Sequence, residues 1–359
     1  MHIIHIITTL DIGGAEKQLV VLAKHQLQSS TSCEVLYLKS SAPLKHDLEI
    51  VGVRVRKLTL GTFLRLSIDN RLQKILDRGN SKNLLHAHLP RAEILGILLS
   101  IFAGIPLVVS KHNSEKMWPK GPKFISYILS RVVHSRSSFI VCITRSVKLF
   151  LEQIEELPSN SKKVEVIHYG FYGSVERDLE LFKQPIKVLT LARLEPQKDL
   201  STLVRACEKL QVEGVQVQVR IRGEGSLKNE ITREISARGI RNVEILPPVA
   251  DVEKEYLWAD LLVLPSRYEG FGLVLLEAMS YNIMILSTNS PAAEEILGTG
   301  SALLFPIGNA DALAHKIETL SRSAIHRMEN QRLVKVRSKS FDLENQLTKT
   351  KTLYERILN

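Results

Sequence analysis

The sequence predicts an α/β protein made of two Rossmann-like, doubly wound parallel-sheet domains. Three observations predict it. The chain has 359 residues, enough for two domains at roughly 100–200 residues each. Its 44% hydrophobic and 24% charged residues are ordinary globular usage; they supply two cores and exclude a disordered chain. Short apolar runs alternate with longer amphipathic stretches, and the alternation occurs in two successive series. Strands apolar on both faces belong to parallel sheets covered by helices.

The first series places strands at 3–7, 33–38, 83–86, 107–110, 139–143 and 164–168, with helices at 16–27 and 91–103. The second places strands at 186–191, 215–221, 243–246, 261–264 and 283–287, with helices at 199–210, 227–237, 273–280 and 311–320. Charged and Gly residues interrupt the pattern at 171–184, where the linker belongs. The expected division is a first domain over 1–180, a second over 181–325, and a helical tail over 326–359 that packs back on the first. Two such domains bind ligands at the carboxyl ends of their strands, and a cleft between them is the expected site.

Cys33, Cys142 and Cys207 show neither a Cys-x-x-Cys pair nor zinc-ligand spacing, so buried free thiols in a reducing compartment are expected. Met1 to Ile7 lacks the basic region and cleavage site of a secretory signal and reads as a buried strand. The apolar run Ile94–Val109 is shorter than the roughly 20 residues of a spanning helix, and Gly104-Ile105-Pro106 breaks it. A cytoplasmic protein is expected, soluble or peripheral at the inner face of the plasma membrane. The formal charge is +10, and residues 1–180 hold 24 basic against 16 acidic residues. That half therefore meets something anionic. Nucleic acid is disfavoured because no binding motif accompanies the charge.

Three segments follow strand ends and carry chemistry. Asp11-Ile12-Gly13-Gly14-Ala15-Glu16 lets backbone approach a ligand and opens a helix whose free N–H groups suit an anion. It reads equally as a tight turn capped by Asp11, and it is not the Gly-x-Gly-x-x-Gly dinucleotide fingerprint. Leu191 to Asp199 sets Arg193 and Lys198 beside a helix start, with Asp199 at the N-cap, which suits a diphosphate; by themselves the two cations read more readily as solvated surface charges. Pro265 to Met279 carries Glu269 in a glycine turn and Glu277 on the second turn of an apolar helix. A carboxylate in so apolar a run needs donor partners; sugar hydroxyls are donors, and the N–H groups at Gly272–Val274 suit a phosphate.

Glu269 and Glu277 around Gly270-Phe271-Gly272, closed by Glu277-Ala278-Met279, resemble the signature of retaining GT-B glycosyltransferases of family 4, glycosyl transferases group 1. The resemblance spans nearly the whole chain. Gly13-Gly14-Ala15-Glu16, Arg193 with Lys198, Gly223-Glu224-Gly225, Pro291 to Glu295 and Leu303-Leu304-Phe305-Pro306 match family landmarks in order. It implies that Glu269 holds the donor hexose and Glu277 the donor ribose. Arg193 and Lys198 would neutralise the diphosphate leaving group. Gly13, Gly14, Gly270, Phe271, Gly272 and Leu273 would line the donor, and the backbone at Pro248–Val249 would contact the base. His112 matches the family's active-site histidine. The resemblance further implies transfer with retention, no metal or other cofactor, a nucleotide-diphosphate sugar as donor, and a glycan or lipid-linked acceptor. Its commonest setting is cell-envelope polysaccharide or lipopolysaccharide synthesis.

The sequence departs from the family at His168-Tyr169-Gly170-Phe171-Tyr172, where Asn-Gly-aliphatic-Asp is frequent. Ala192 stands where Gly is common, and so does Asp199. His88, Lys111 and Asn113 are candidates for the acceptor side; His88 reads equally as a packed strand-end histidine. The basic stretch 111–136, with Trp118, Phe124 and Tyr127 interleaved, reads either as a surface for anionic lipid, joined by an amphipathic helix at 63–76, or as a solvated helix and loop. Two other functions stay open on this fold: a nucleotide-sugar epimerase or hydrolase, and a non-catalytic sugar-nucleotide-binding protein.

Overall fold

The computed structural model describes residues 1–29, 31–39, 41–58, 82–114, 116–117, 121–158, 161–171, 184–249 and 251–359. The expected helix at 63–76, Trp118 and most of the linker lie outside them. The chain forms two compact units: residues 1–169 with 344–359, and residues 170–343.

The first unit holds a seven-stranded parallel sheet in the order β3-β2-β1-β4-β5-β6-β7. Its strands are β1 (His2–Ile7), β2 (Ser32–Tyr37), β3 (Arg54–Lys57), β4 (Asn83–His88), β5 (Leu107–Lys111), β6 (Phe139–Cys142) and β7 (Val164–Val166). All six β1 residues are buried, as a central strand with helices on both faces requires. Its helices include α1 (Gly14–Gln28), α2 (Lys45–Ile50), α3 (Pro90–Ala103), α4 (Lys123–Arg136) and α5 (Arg145–Gln153). α5 is capped by Thr144 Oγ1, which accepts from Val147 N–H at 3.1 Å. Ile3, Ile7, Leu19, Ala23, Leu353 and Tyr354 share one core, so α1 and the C-terminal helix cover the same face of β1.

The second unit holds a six-stranded parallel sheet in the order β10-β9-β8-β11-β12-β13. These strands are β8 (Ile186–Leu191), β9 (Val217–Arg222), β10 (Val243–Leu246), β11 (Leu261–Leu264), β12 (Met284–Thr288) and β13 (Leu304–Phe305). Its helices are α6 (Leu200–Val212), α7 (Lys228–Ala237), α8 (Glu253–Trp258), α9 (Leu273–Ser280), α10 (Pro291–Leu297), α11 (Ala310–Arg322) and α12 (Ala324–Ser338). Both units are doubly wound, with the strand order reversing beside the first strand of each: β1 next to β4, β8 next to β11. Those are the switch points where ligands bind.

The tail divides. α12 belongs to the second unit, because Asn330 fills the edge of β12: Ile285 N–H donates to Asn330 Oδ1 and Asn330 Nδ2 donates to Ile285 O, each at 3.0 Å. Arg337 likewise donates to the carbonyls of Ile296 and Glu295 at 2.7 Å. Only α13 (Leu343–Leu358) carries the chain back to the first unit. The first unit therefore ends its first pass at Tyr169, and the expected tail of 326–359 shrinks to 344–359. Edge strand β3 escaped the sequence reading because Arg-Val-Arg-Lys offers one apolar residue, Val55.

Candidate functional site

In the second unit the two loops beside the switch point are joined by their own residues. After β8 the chain makes a single 3-10 turn, Pro196–Lys198, and reaches Asp199 at φ +45°. Asp199 stands at the N-cap of α6, but its side chain makes no cap bond. Its Oδ2 instead lies 3.2 Å from Arg267 Nε, in the loop after β11, which corrects the expected capping role. Arg267 N–H donates to Gln197 O at 2.8 Å. Lys198 Nζ donates to Glu269 Oε1 at 2.5 Å, and Ser266 Oγ donates to the same oxygen at 2.7 Å. The ammonium and carboxylate keep only 12% and 9% of their side-chain surface exposed. Lys198 and Glu269, read separately as diphosphate and sugar ligands, are thus one ion pair. Arg193 is exposed at the start of the same loop.

The glycines of this region serve close approach. A Cβ on Gly223 would stand 1.8 Å from Ala192 O, and one on Gly225 2.4 Å from Leu194 O. The loop after β9 therefore presses on the loop carrying Arg193, and Leu227 N–H and Leu194 N–H tie the two with bonds of 2.9 Å. Gly272 precedes α9 at φ +91°, a left-handed conformation that favours glycine. Gly270 and Leu273 are half-buried, whereas Phe271 is buried, its ring edge-on to Phe341 with centroids 6.1 Å apart. The Phe271 side chain is therefore committed to the interior of the second unit. Val249 is half-buried beyond β10.

Glu277 has a protein donor that the sequence did not announce. The fully buried Tyr256 donates its hydroxyl to Glu277 Oε2 at 2.6 Å and stacks on Tyr281, centroids 5.1 Å apart and planes 7° from parallel. Burial first, then the Glu277 carboxylate, push the Tyr256 hydroxyl well above its usual range. One carboxylate oxygen is thereby fixed on the protein.

In the first unit, Gly13 is the N-cap of α1 with no side-chain cap, and Gly14 is the first helical residue, exposed. A Cβ on Gly13 would meet Glu16 Oε2 at 2.4 Å. Glu16 is buried, and its Oε1 accepts from Thr9 Oγ1 at 2.6 Å. Burial raises its carboxyl above the usual range.

The other candidates converge on a histidine cluster. β1 and β4 pair in parallel with His5 opposite His86 and Ile7 opposite His88. Residues two apart share a sheet face, so His5, His86 and His88 all point to the α1 side. His112 Nε2 lies 3.1 Å from His88 Nδ1, and His112 Nδ1 is hydrogen-bonded to the Tyr169 hydroxyl. His88 Nε2 lies 3.1 Å from His5 Nδ1, and His5 Nε2 lies 2.9 Å from Gln26 Oε1. Beside this line, His86 bonds the Tyr354 hydroxyl at 2.6 Å and Ser110 Oγ at 2.8 Å. A cavity of about 30 Å³, room for a water, borders His86, His88 and His112. Burial lowers every one of these histidines: His5 to about 4, His112 to about 3 with Lys111 adding to the effect, and His86 and His88 well below the usual value. All four are neutral at neutral pH.

Two residues expected on the acceptor side lie inside the unit. His88 is 3% exposed within the histidine line, and Lys111 is 8% exposed, donating to Glu93 Oε2 at 2.6 Å. Their polar atoms serve the core, because a buried polar group needs a partner. Asn113 is half-buried. His5, His86 and His88 hold nitrogens within 4.8 Å of one another, the spacing of a metal site. Their nitrogens are already committed to Gln26, Ser110, Tyr354, His112 and each other, and the His86 and His88 rings stack 4.1 Å apart. The arrangement is a hydrogen-bonded network rather than a ligand cage.

Comparison with known proteins places the chain's fold and family. Residues 12–171 match the family model Glycosyltransferase Family 4, and residues 174–334 match Glycosyl transferases group 1. A relative from Campylobacter jejuni is 25% identical over 356 residues, 96% of each chain; it is a GalNAc-alpha-(1->4)-GalNAc-alpha-(1->3)-diNAcBac-PP-undecaprenol alpha-1,4-N-acetyl-D-galactosaminyltransferase. The crystal structure of Anabaena HepE in complex with UDP and glucose superposes with a TM-score of 0.81 at 20% identity, covering 99% of this chain and 100% of that one. Sucrose-phosphate synthase from Thermosynechococcus elongatus superposes at 0.78 with 16% identity and 99% coverage of both chains. These likenesses identify the fold as GT-B. The chain belongs to the family-4, group-1 glycosyltransferases.

Proposed function

We propose that this protein moves a hexose from a nucleotide-diphosphate sugar to a hydroxyl of a glycan or lipid-linked acceptor, with retention and without a metal ion. The observation that carries the reading is the joined pair of loops at the second unit's switch point. There, Lys198 meets Glu269 and Arg193 lies open at the surface. The diphosphate would take Arg193 and Lys198 as counter-charges, Glu269 would accept from hexose hydroxyls, and Glu277, anchored by Tyr256, would accept from ribose. In the transfer, the bond from the anomeric carbon to the phosphate oxygen breaks and a bond to the acceptor oxygen forms on the same face. The acceptor proton passes to the departing phosphate. His112 would stand near the reacting sugar as a neutral imidazole.

UDP-hexoses are the first donors to test, since HepE holds UDP and glucose. The Campylobacter relative acts on an undecaprenol-diphosphate glycan, which supports a lipid-linked acceptor and cell-envelope synthesis as the setting. Thermal shift against UDP, GDP, ADP and their hexose conjugates tests the donor site through mass action. One nucleotide should raise the midpoint saturably, and UDP should be released from its hexose conjugate once an undecaprenyl-diphosphate glycan is supplied. No shift with any nucleotide would refute the reading.

The first unit also offers a surface for the lipid. α3 and α4 touch, and both expose large apolar side chains: Leu98, Ile101 and Phe102 on α3, Phe124 and Ile128 on α4. Arg131 and Arg136 are exposed on α4, so the matching partner is an anionic membrane surface. No helix among the described residues is long and apolar enough to cross a membrane. Co-sedimentation should be stronger with anionic than with neutral vesicles; equal pelleting would sink the idea.

A further inference from the structure

Five side chains from five parts of the first unit form one unbroken line: Tyr169, His112, His88, His5 and Gln26. Each imidazole enters the line through Nδ1 and leaves it through Nε2. A neutral imidazole has one N–H and one lone pair, so the three tautomers depend on one another. Gln26 presents Oε1 to His5, and a carbonyl oxygen only accepts. His5 therefore carries its hydrogen on Nε2, and its Nδ1 accepts from His88 Nε2–H. By the same step His88 Nδ1 accepts from His112 Nε2–H, and His112 Nδ1 accepts from the Tyr169 hydroxyl. Reversing one ring alone would set two N–H groups, or two lone pairs, face to face in a buried line. That costs more than a merely weakened bond.

We propose that Tyr169, His88, His5 and Gln26 are positioning residues for His112, holding it in the Nε2–H tautomer with a fixed ring orientation. This rests on the reading of His112 as an active-site residue of glycosyl transfer. A sugar leaving its phosphate gathers positive charge at the anomeric carbon. A neutral, oriented imidazole beside it avoids the repulsion that an imidazolium would bring. The line extends this requirement inward, so that Gln26 on α1 sets the proton position at a residue beyond β5. None of these four residues needs to touch substrate.

The test uses the full chain labelled with ring-15N histidine, read by long-range 1H–15N correlation, with signals assigned by single substitutions. In the unsubstituted protein, His5, His88 and His112 should each show the neutral Nε2–H pattern. Gln26→Met removes the acceptor at similar length, and a second tautomer should appear at His112, three rings away. Tyr169→Phe removes the donor at the other end and should do the same. In both variants kcat for UDP release should fall roughly three- to tenfold, the effect of one weakened hydrogen bond, while UDP affinity stays unchanged. Should Gln26→Met fail to fold, Tyr169→Phe carries the test alone. Nδ1–H patterns in the unsubstituted protein, or a His112 signal indifferent to both substitutions, would overturn the proposal. If the predicted patterns appear but no UDP-hexose turns over, the network stands and it is the transferase reading that fails.

Discussion

The ion pair between Lys198 and Glu269 makes a prediction of opposite sign for its two members. Unit charges ~3 Å apart attract by about 5–6 kcal/mol at an effective dielectric of ~20. Taking both from water returns most of that, since they keep 12% and 9% of their surface. About 1–3 kcal/mol is left, the usual worth of a hydrogen bond to a charged group. A diphosphate arriving at Lys198 competes with Glu269 for the same ammonium. Glu269→Gln removes the competitor, and UDP should bind no more weakly and up to roughly fivefold more tightly, about 1 kcal/mol. Lys198→Met removes the counter-charge, and UDP should weaken by roughly ten- to a hundredfold. Release of UDP from its hexose conjugate should fall about a hundredfold or more in Glu269→Gln, because the carboxylate acts on the sugar. Titration calorimetry with UDP separates the two variants. If Glu269→Gln weakened UDP as much as Lys198→Met, Glu269 would be a nucleotide ligand, and the competition argument would be wrong.

Acid should destabilise the first unit through its histidines. His5, His86, His88 and His112 are lowered in the folded protein, so below about pH 6.5 the unfolded chain binds protons that the folded one refuses. Stability is full above that pH and is lost as pH falls, by about 1.4 kcal/mol per unit per histidine until about pH 4 for His5. Urea melts between pH 7.5 and 5 measure the slope; a flat profile rejects it, and His5→Phe should make it shallower. Gly223→Ala should displace the Arg193 loop, since its Cβ would stand 1.8 Å from a carbonyl oxygen; about 2–4 kcal/mol lost in denaturant melts, with weakened UDP binding, is expected. Tyr256→Phe leaves one oxygen of Glu277 without its donor and should weaken UDP roughly three- to tenfold while sparing Glu269-dependent hexose selectivity; calorimetry with unchanged affinity would show that Glu277 needs no anchor.

The two loops of the second unit's candidate site were legible because each lies in one short segment. Arg193 and Lys198 follow one strand, Glu269 and Glu277 follow another, and apolar runs mark both strands. The partners were not legible. Tyr256 sits on a six-residue helix with no periodic signature and meets Glu277 across 21 positions. The histidine line joins residues 83, 24 and 57 positions apart. Its one local trace was parity: His86 and His88 share a face, and His5 shares one with Ile3 and Ile7. Parity says that residues face together only when strand order and register are known, and neither is written in one strand. Lys111 read as a surface cation for the same reason, since Glu93 reaches it from a helix 18 positions earlier. The tail was misdivided because α12 is mostly polar and its attachment runs through side-chain bonds of Asn330 and Arg337 to backbone groups 41–45 positions away.

The return of α13 to the first unit sets the order in which this chain can be finished. Tyr354 is 1% exposed, packs in the β1 core and bonds His86, which lies 268 positions earlier. A nascent chain makes β1, α1 and β4 early, yet the share of the histidine face that Leu353 and Tyr354 cover is filled only after residues 170–343 have been made. The second unit, continuous over 170–343, has all its residues before then. The first unit is therefore discontinuous in the chain, and its core closes only after the whole of the second unit has been synthesised.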